Sequence, residues 1–218
     1  MLLIFFYISM VAFDSFSYDI IPIIYPQYKP GSEILSQFSM STPWITISVK
    51  LVWCLLLFFV FYLFKARFFT EKIQNKHLKV LAFALFLSLG LQVLSILLTS
   101  IGINETANQA TLNQSILLMS WPKLITMFVI IAPLTEELVM RGLIMRYLLP
   151  KYPYLGILLS AYLFSSLHYT TKIIDTLLYL TSGFIFAFAY YKTNRLQIPI
   201  IIHASINFLV LIWIIYFR

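Results

Sequence analysis

The sequence predicts an all-α protein, a polytopic transmembrane bundle of six to seven membrane segments. Three observations predict it. Of the 218 residues, 61% are hydrophobic and only 11% charged, against about 25% charged in an ordinary soluble domain, and mean hydropathy is +0.91. Apolar runs recur at close to the ~20 residues that a helix needs to cross hydrocarbon. Lysines and arginines gather in the short connections between those runs, as the positive-inside rule requires. With no water in the bilayer core, every backbone N–H and C=O must be paired within its own segment, so the runs are helices.

Residues 1–13 are apolar but too few to cross about 30 Å of hydrocarbon. No basic residue precedes them, so they read as an interfacial or distorted first span rather than a cleaved signal peptide. The stretch 14–43 holds Asp14, Asp19, Glu33, one lysine and four prolines, the composition of an irregular extramembrane loop. The run 44–64 is a clear span with Trp44 as its interfacial anchor. Lys65, Arg67, Lys72, Lys76 and Lys79 follow, offset only by Glu71, and His77 among them reads as a surface residue. A second span covers 80–103, and the polar loop 104–114 has no Lys or Arg. The third span starts near Ser115 and continues as one helix to Leu149, because Leu138, Leu143, Ile144 and Leu148 keep the apolar pattern. Pro133 should kink it one turn before Glu136. Spans at 154–169, 173–191 and 196–217 complete the bundle. The basic connections 65–79, 141–152 and 192–195 alternate with neutral or acidic ones and are expected in the cytoplasm. There is no internal repeat or low-complexity linker. The chain reads as one membrane domain, with N-terminal helices and loop in 1–114 and a core in 115–218.

Composition also excludes functions. The net charge of +7 lies in inter-helix segments, not on a nucleic-acid face, and the 20 Phe and 14 Tyr are lipid-facing packing. Cys54 is the only cysteine, which rules out an intrachain disulfide or a cysteine metal cluster. Two glycosylation sequons, at Asn104 and Asn113, lie close to predicted spans and read as chance matches.

The informative residues are the few polar groups inside apolar segments, since a charge near the bilayer centre costs somewhere between about 2.5 and 17 kcal/mol and so marks function. They are Glu136, Glu137, Arg141, His168, His203 and Asn207. At 1.5 Å rise per residue, Glu136 lies roughly 15 Å in from Arg146, His168 roughly 21 Å in from Tyr154, and His203 roughly 12 Å in from Arg195. These depths overlap, so one shared site is feasible. Glu137 and Arg141 are four apart in the favourable order for an ion pair, while Glu136 is turned about 100° away and left to face a cavity. Phe164 and His168, and His203 and Asn207, repeat the four-residue spacing. A carboxylate and an imidazole can hold and deprotonate a water, and a second imidazole with a carboxamide can donate hydrogen bonds to an oxyanion. These parts suffice for amide hydrolysis.

Glu136-Glu137-x-x-x-Arg141, then Phe164-x-x-x-His168, then His203-x-x-x-Asn207, resembles the three-motif signature of the CPBP family. That family includes type II CAAX prenyl endopeptidases and bacteriocin-processing or immunity proteins, also called Abi-domain proteins. The resemblance covers about residues 115–210. It implies an intramembrane glutamate protease in which Glu136 and His168 activate water and His203 and Asn207 form the oxyanion hole. Glu137, Arg141 and Phe164 then support the site. It implies no cofactor and no metal, and as partners a hydrophobic or lipid-modified peptide substrate and membrane lipid, not nucleic acid. Two other readings stay open. One is a zinc protease with Glu136, His168 and His203 as ligands, although no His-Glu-x-x-His helix is present. The other is a bacteriocin-immunity factor or membrane scaffold that acts by binding. Low Gly with abundant Ile, Phe and Lys fits a bacterial plasma-membrane protein.

Overall fold

In the computed structural model, residues 72–101, 120–168, 170 and 172–217 are described, with scattered positions between 48 and 69. Every regular element among them is helical. The expectations for 1–43, for most of the 44–64 span and for the sequons fall outside the described residues, although Ser48, Leu51, Leu55, Phe59 and Tyr62 are each helical.

Helix α1, Asn75–Ser100, starts before the predicted span because its first turn is capped from within. His77 folds back so that its Nδ1 accepts the Gln74 backbone N–H at 3.1 Å. It is 4% exposed, which corrects the surface reading. A helix leaves its first amides without intrahelical partners, and here an imidazole flanked by lysines serves that need. Only His77, Ala84 and Ser88 of α1 are buried, one narrow stripe, and the rest of the helix presents Phe83, Phe86, Val93, Leu94 and Leu97 outward.

Helix α2 is one helical run over 121–148 whose hydrogen-bond register changes along its length. Trp121–Leu124 is α, Ile125–Ile131 is π, Ala132–Glu137 is α and Leu138–Leu148 is π. The junction residues Ile125, Ala132 and Leu138 all keep right-handed helical dihedrals. Pro133 explains the central switch: it has no N–H to give, and the helix absorbs the loss by a register change. The Ala132 N–H goes back five residues to the Met127 carbonyl. The Thr135 hydroxyl donates to the carbonyls of Ile131 at 2.8 Å and Ala132 at 3.0 Å.

Helix α3 is Pro153–Ser166, 14 residues, or about 21 Å at the α-helical rise. The predicted span reached 169. The structure instead ends the helix before His168, which sits in a bend. The His168 Nδ1 is 2.9 Å from the Phe164 carbonyl oxygen, so the side chain takes up a carbonyl at the helix end. The short connection to the next helix is tied by Ser165 Oγ donating to the Thr176 carbonyl, 3.0 Å, and by the Thr170–Thr176 hydroxyl pair, 2.9 Å.

Helices α4, Ile173–Thr193, and α5, Gln197–Phe217, are joined at Asn194, whose left-handed φ of 49° turns the chain. Asn tolerates that conformation better than most residues. Helices α1, α4 and α5 are each long and apolar enough to cross a membrane. The protein is an all-α integral membrane bundle. At its centre α4 packs on α1, α3, α5 and the last part of α2. Gly183 permits the closest approach: a Cβ there would lie 2.9 Å from the Ala161 Cα on α3. Small residues at such crossings let helices meet where lipid offers no hydrophobic drive.

Candidate active site

The two adjacent glutamates sit on the α turn between the two π segments of α2, and the structure treats them differently. Glu137 is fully buried. Its Oε1 accepts from Arg141 Nη1 at 3.0 Å and from the His203 Nδ1–H on α5, also at 3.0 Å. The Arg141 guanidinium is equally sealed. Its Nη2 donates to the Gly183 carbonyl at 2.8 Å, and its Cζ lies 5.3 Å from the Phe164 ring centre and 5.7 Å from that of Phe186. A buried charge survives only when it is paired and hydrogen-bonded, and this guanidinium has a carboxylate, a carbonyl and two ring faces.

Glu136 has none of this. Its side chain is 17% exposed against 0% for Glu137. Its Oε2 is buried without a hydrogen-bond partner and stands 4.0 Å from His203 Nε2. The His203 ring is held on all sides: Nδ1–H on Glu137, a face against Phe186 at 4.9 Å and 25°, and the Phe164 ring edge-on at 5.4 Å and 72°. A carboxylate on one ring nitrogen fixes the tautomer and aim of the other, so Nε2 points at Glu136. With Nδ1 protonated, Nε2 becomes a donor only in the imidazolium form.

His168 meets the same aromatic centre from the other side. Its ring lies 4.8 Å from that of Phe164 and stacks on Tyr179 at 4.1 Å and 16°. Both imidazoles therefore contact Phe164, which brings α2, α3 and α5 together at one place. Asn207, one turn beyond His203, donates its Nδ2–H to the Phe128 carbonyl at 2.8 Å. That carbonyl is an orphan by construction. In the π register its partner would be residue 133, a proline, and the Ala132 N–H is already given to Met127. Asn207 thus closes a gap that Pro133 opens, and keeps a second amide hydrogen for another acceptor.

Four contributors were not singled out from sequence: Tyr179, Gly183 and Phe186 on α4, and the Phe128 carbonyl. The first three are spaced i, i+4, i+7, one stripe of a helix. The spacing was visible, but aromatic and small residues at helical period are ordinary in any membrane helix. Among the described residues, no group of three His, Cys, Asp or Glu is arranged to hold a metal ion.

Fold and centre define a class: an integral membrane protein with a buried carboxylate–imidazole site between its helices. Residues 118–209, somewhat less than half of the chain, match the family model described as type II CAAX prenyl endopeptidase Rce1-like. The chain is also similar to the Bacillus subtilis (strain 168) protein named "Putative membrane peptidase YdiL", 36% identical over 93 residues. That match covers 42% of this chain and 37% of the relative, little more than a third of its length. No solved structure matches.

Proposed function

We propose that the protein is an intramembrane endopeptidase that hydrolyses a peptide bond in a hydrophobic or lipid-modified peptide, with Glu136 as general base. The observation that carries this reading is the unequal fate of the paired carboxylates. Glu137 is sealed, its Oε1 held by Arg141 and His203 and its Oε2 without a partner, while Glu136 is 17% exposed and sets its unpartnered Oε2 beside an oriented imidazole. A carboxylate kept in that state inside a bundle costs stability, which points to a role in chemistry.

In this mechanism a water held between Glu136 and His168 gives its proton to the Glu136 carboxylate as its oxygen attacks the scissile carbonyl carbon. The resulting oxyanion takes hydrogen bonds from His203 Nε2–H, in its imidazolium form, and from the spare amide hydrogen of Asn207. The tetrahedral adduct collapses by breaking the C–N bond, and the proton passes from Glu136 to the departing amine. The products are a carboxylate and an amine. Positioned general-base transfer contributes about 10²–10⁴-fold, and each oxyanion donor a further ~10²–10³-fold. Glu137 and Arg141 act through His203, by holding its ring.

The direct test is membrane proteomics of cells carrying the wild type or Glu136→Ala. Peptides that depend on the wild type identify the substrate. Equal peptide patterns, with both proteins inserted to the same level, would reject the reading and leave a binding role. Activity lost to a strong chelator and restored by zinc would replace the glutamate mechanism with a metal one.

A further inference from the structure

A second site lies away from the polar centre, at the end of the bundle where α1 begins and α4 ends. A cavity of about 270 Å³ opens between these helices. Its wall is apolar, formed chiefly by Phe83, Leu87, Ile185 and Phe188, and its only charged lining groups are Lys79 and Lys192. Both lysines are exposed. The Lys192 Nζ rests 5.2 Å from the Phe188 ring centre and 5.7 Å from that of Tyr191, which holds the ammonium at the groove instead of in bulk water. Further positive charge surrounds it. Lys76 stands in the first turn of α1, and Arg195 reaches the Lys72 carbonyl at 3.4 Å. Helix α1 carries no acidic residue, and the one on α4, Asp175, is in its first turn at the opposite end. The N-terminus of α1 is the positive end of its dipole, so lysines there are unfavourable until an anion joins them.

We propose that this groove binds one anionic phospholipid, with its phosphate between Lys79 and Lys192 and an acyl chain along the apolar wall. Charge complementarity selects the occupant. A neutral chain would satisfy the wall and leave the Lys79 and Lys192 ammonium groups at the groove without a counter-charge, and a soluble anion would leave the wall unfilled. The groove belongs to the lipid-facing surface of two spanning helices, and basic pockets between such helices suit lipid phosphates. The site uses none of the residues assigned to peptide hydrolysis, so each proposal can fail alone.

The experiment uses the full chain in phosphatidylcholine nanodiscs doped with phosphatidylglycerol, and counts retained lipids by native mass spectrometry. Electrostatic attraction of roughly fivefold per lysine predicts about a thirtyfold preference for one phosphatidylglycerol over phosphatidylcholine. Lys79→Gln/Lys192→Gln should bring the preference close to parity, while Lys79→Arg/Lys192→Arg should keep it within about threefold. Each single Gln variant should lose about fivefold, which preserves the test if the double variant misfolds. A wild type without preference, or a preference that survives in the double Gln variant, overturns the proposal. So does displacement of the phosphatidylglycerol by equimolar farnesol, which would make the groove a site for neutral chains.

Discussion

Asn207→Ala probes the one hydrogen bond whose necessity follows from a proline. The substitution removes the Nδ2–H that Phe128 accepts at 2.8 Å, and the π register cannot replace it because residue 133 has no N–H. A buried carbonyl left unsatisfied costs about 1–3 kcal/mol, whereas polar pairs between membrane helices average about 0.6 and reach about 1.7 kcal/mol. The Phe128 carbonyl is part-buried, so a loss of about 1–2 kcal/mol is expected, a five- to thirtyfold shift in the unfolding equilibrium. Pro133→Ala should then rescue it. Residue 133 would acquire an amide that reaches back five positions to Phe128, and Asn207→Ala should cost about 1 kcal/mol less in that background. The assay is a double-mutant cycle by equilibrium unfolding in mixed micelles, followed by tryptophan fluorescence. Additive effects of the two substitutions would refute the reasoning, because the two residues would then not share an acceptor.

Arg141→Met should destabilise the bundle by about 3–5 kcal/mol, since it strands the buried Glu137 carboxylate; Arg141→Met/Glu137→Gln should recover part of the loss, and an unfolding titration that shows no recovery would count against a charge-pair role. Gly183→Ala should cost about 1–3 kcal/mol by overpacking, because the new methyl meets the Ala161 backbone at 2.9 Å; a thermal midpoint equal to wild type would contradict that geometry. Glu136→Gln should lower peptidase kcat at least a hundredfold while leaving unfolding within about 1 kcal/mol of wild type, as fits a side chain with no structural hydrogen bond at Oε2. Tyr179→Phe should keep the ring stacked on His168 and retain kcat within about threefold, where Tyr179→Ala loses about tenfold; equal rates for the two variants would remove Tyr179 from the site.

Much of the site was legible because membrane chains write their function in a small alphabet. With eight acidic residues and three histidines in 218 positions, a glutamate pair and two histidines within apolar runs stand out, and the four-residue spacing of Glu137 and Arg141 announces their pairing. His77 shows the limit of the same method. Its neighbours are lysines, so local composition points to the surface, yet its burial is decided by the amide-capping need of α1. His168 shows another limit: the apolar pattern runs on through residue 169, and nothing in it reveals that the helix stops at Ser166.

Helix class, membrane residence and the identity of the polar side chains follow from the sequence alone, because hydrophobic length and the cost of a buried charge are local properties that each segment carries independently. The four-residue spacing to Arg141 already assigned Glu137 to the ion pair and left Glu136 free, but how deeply each is sealed was decided only in three dimensions. So was the bridging of Glu137 to an imidazole 66 positions away, and the commitment of Asn207 to a carbonyl that a proline orphaned. These depend on where helices cross and on a backbone register that alternates between α and π, and both arise from contacts between segments that no single segment encodes.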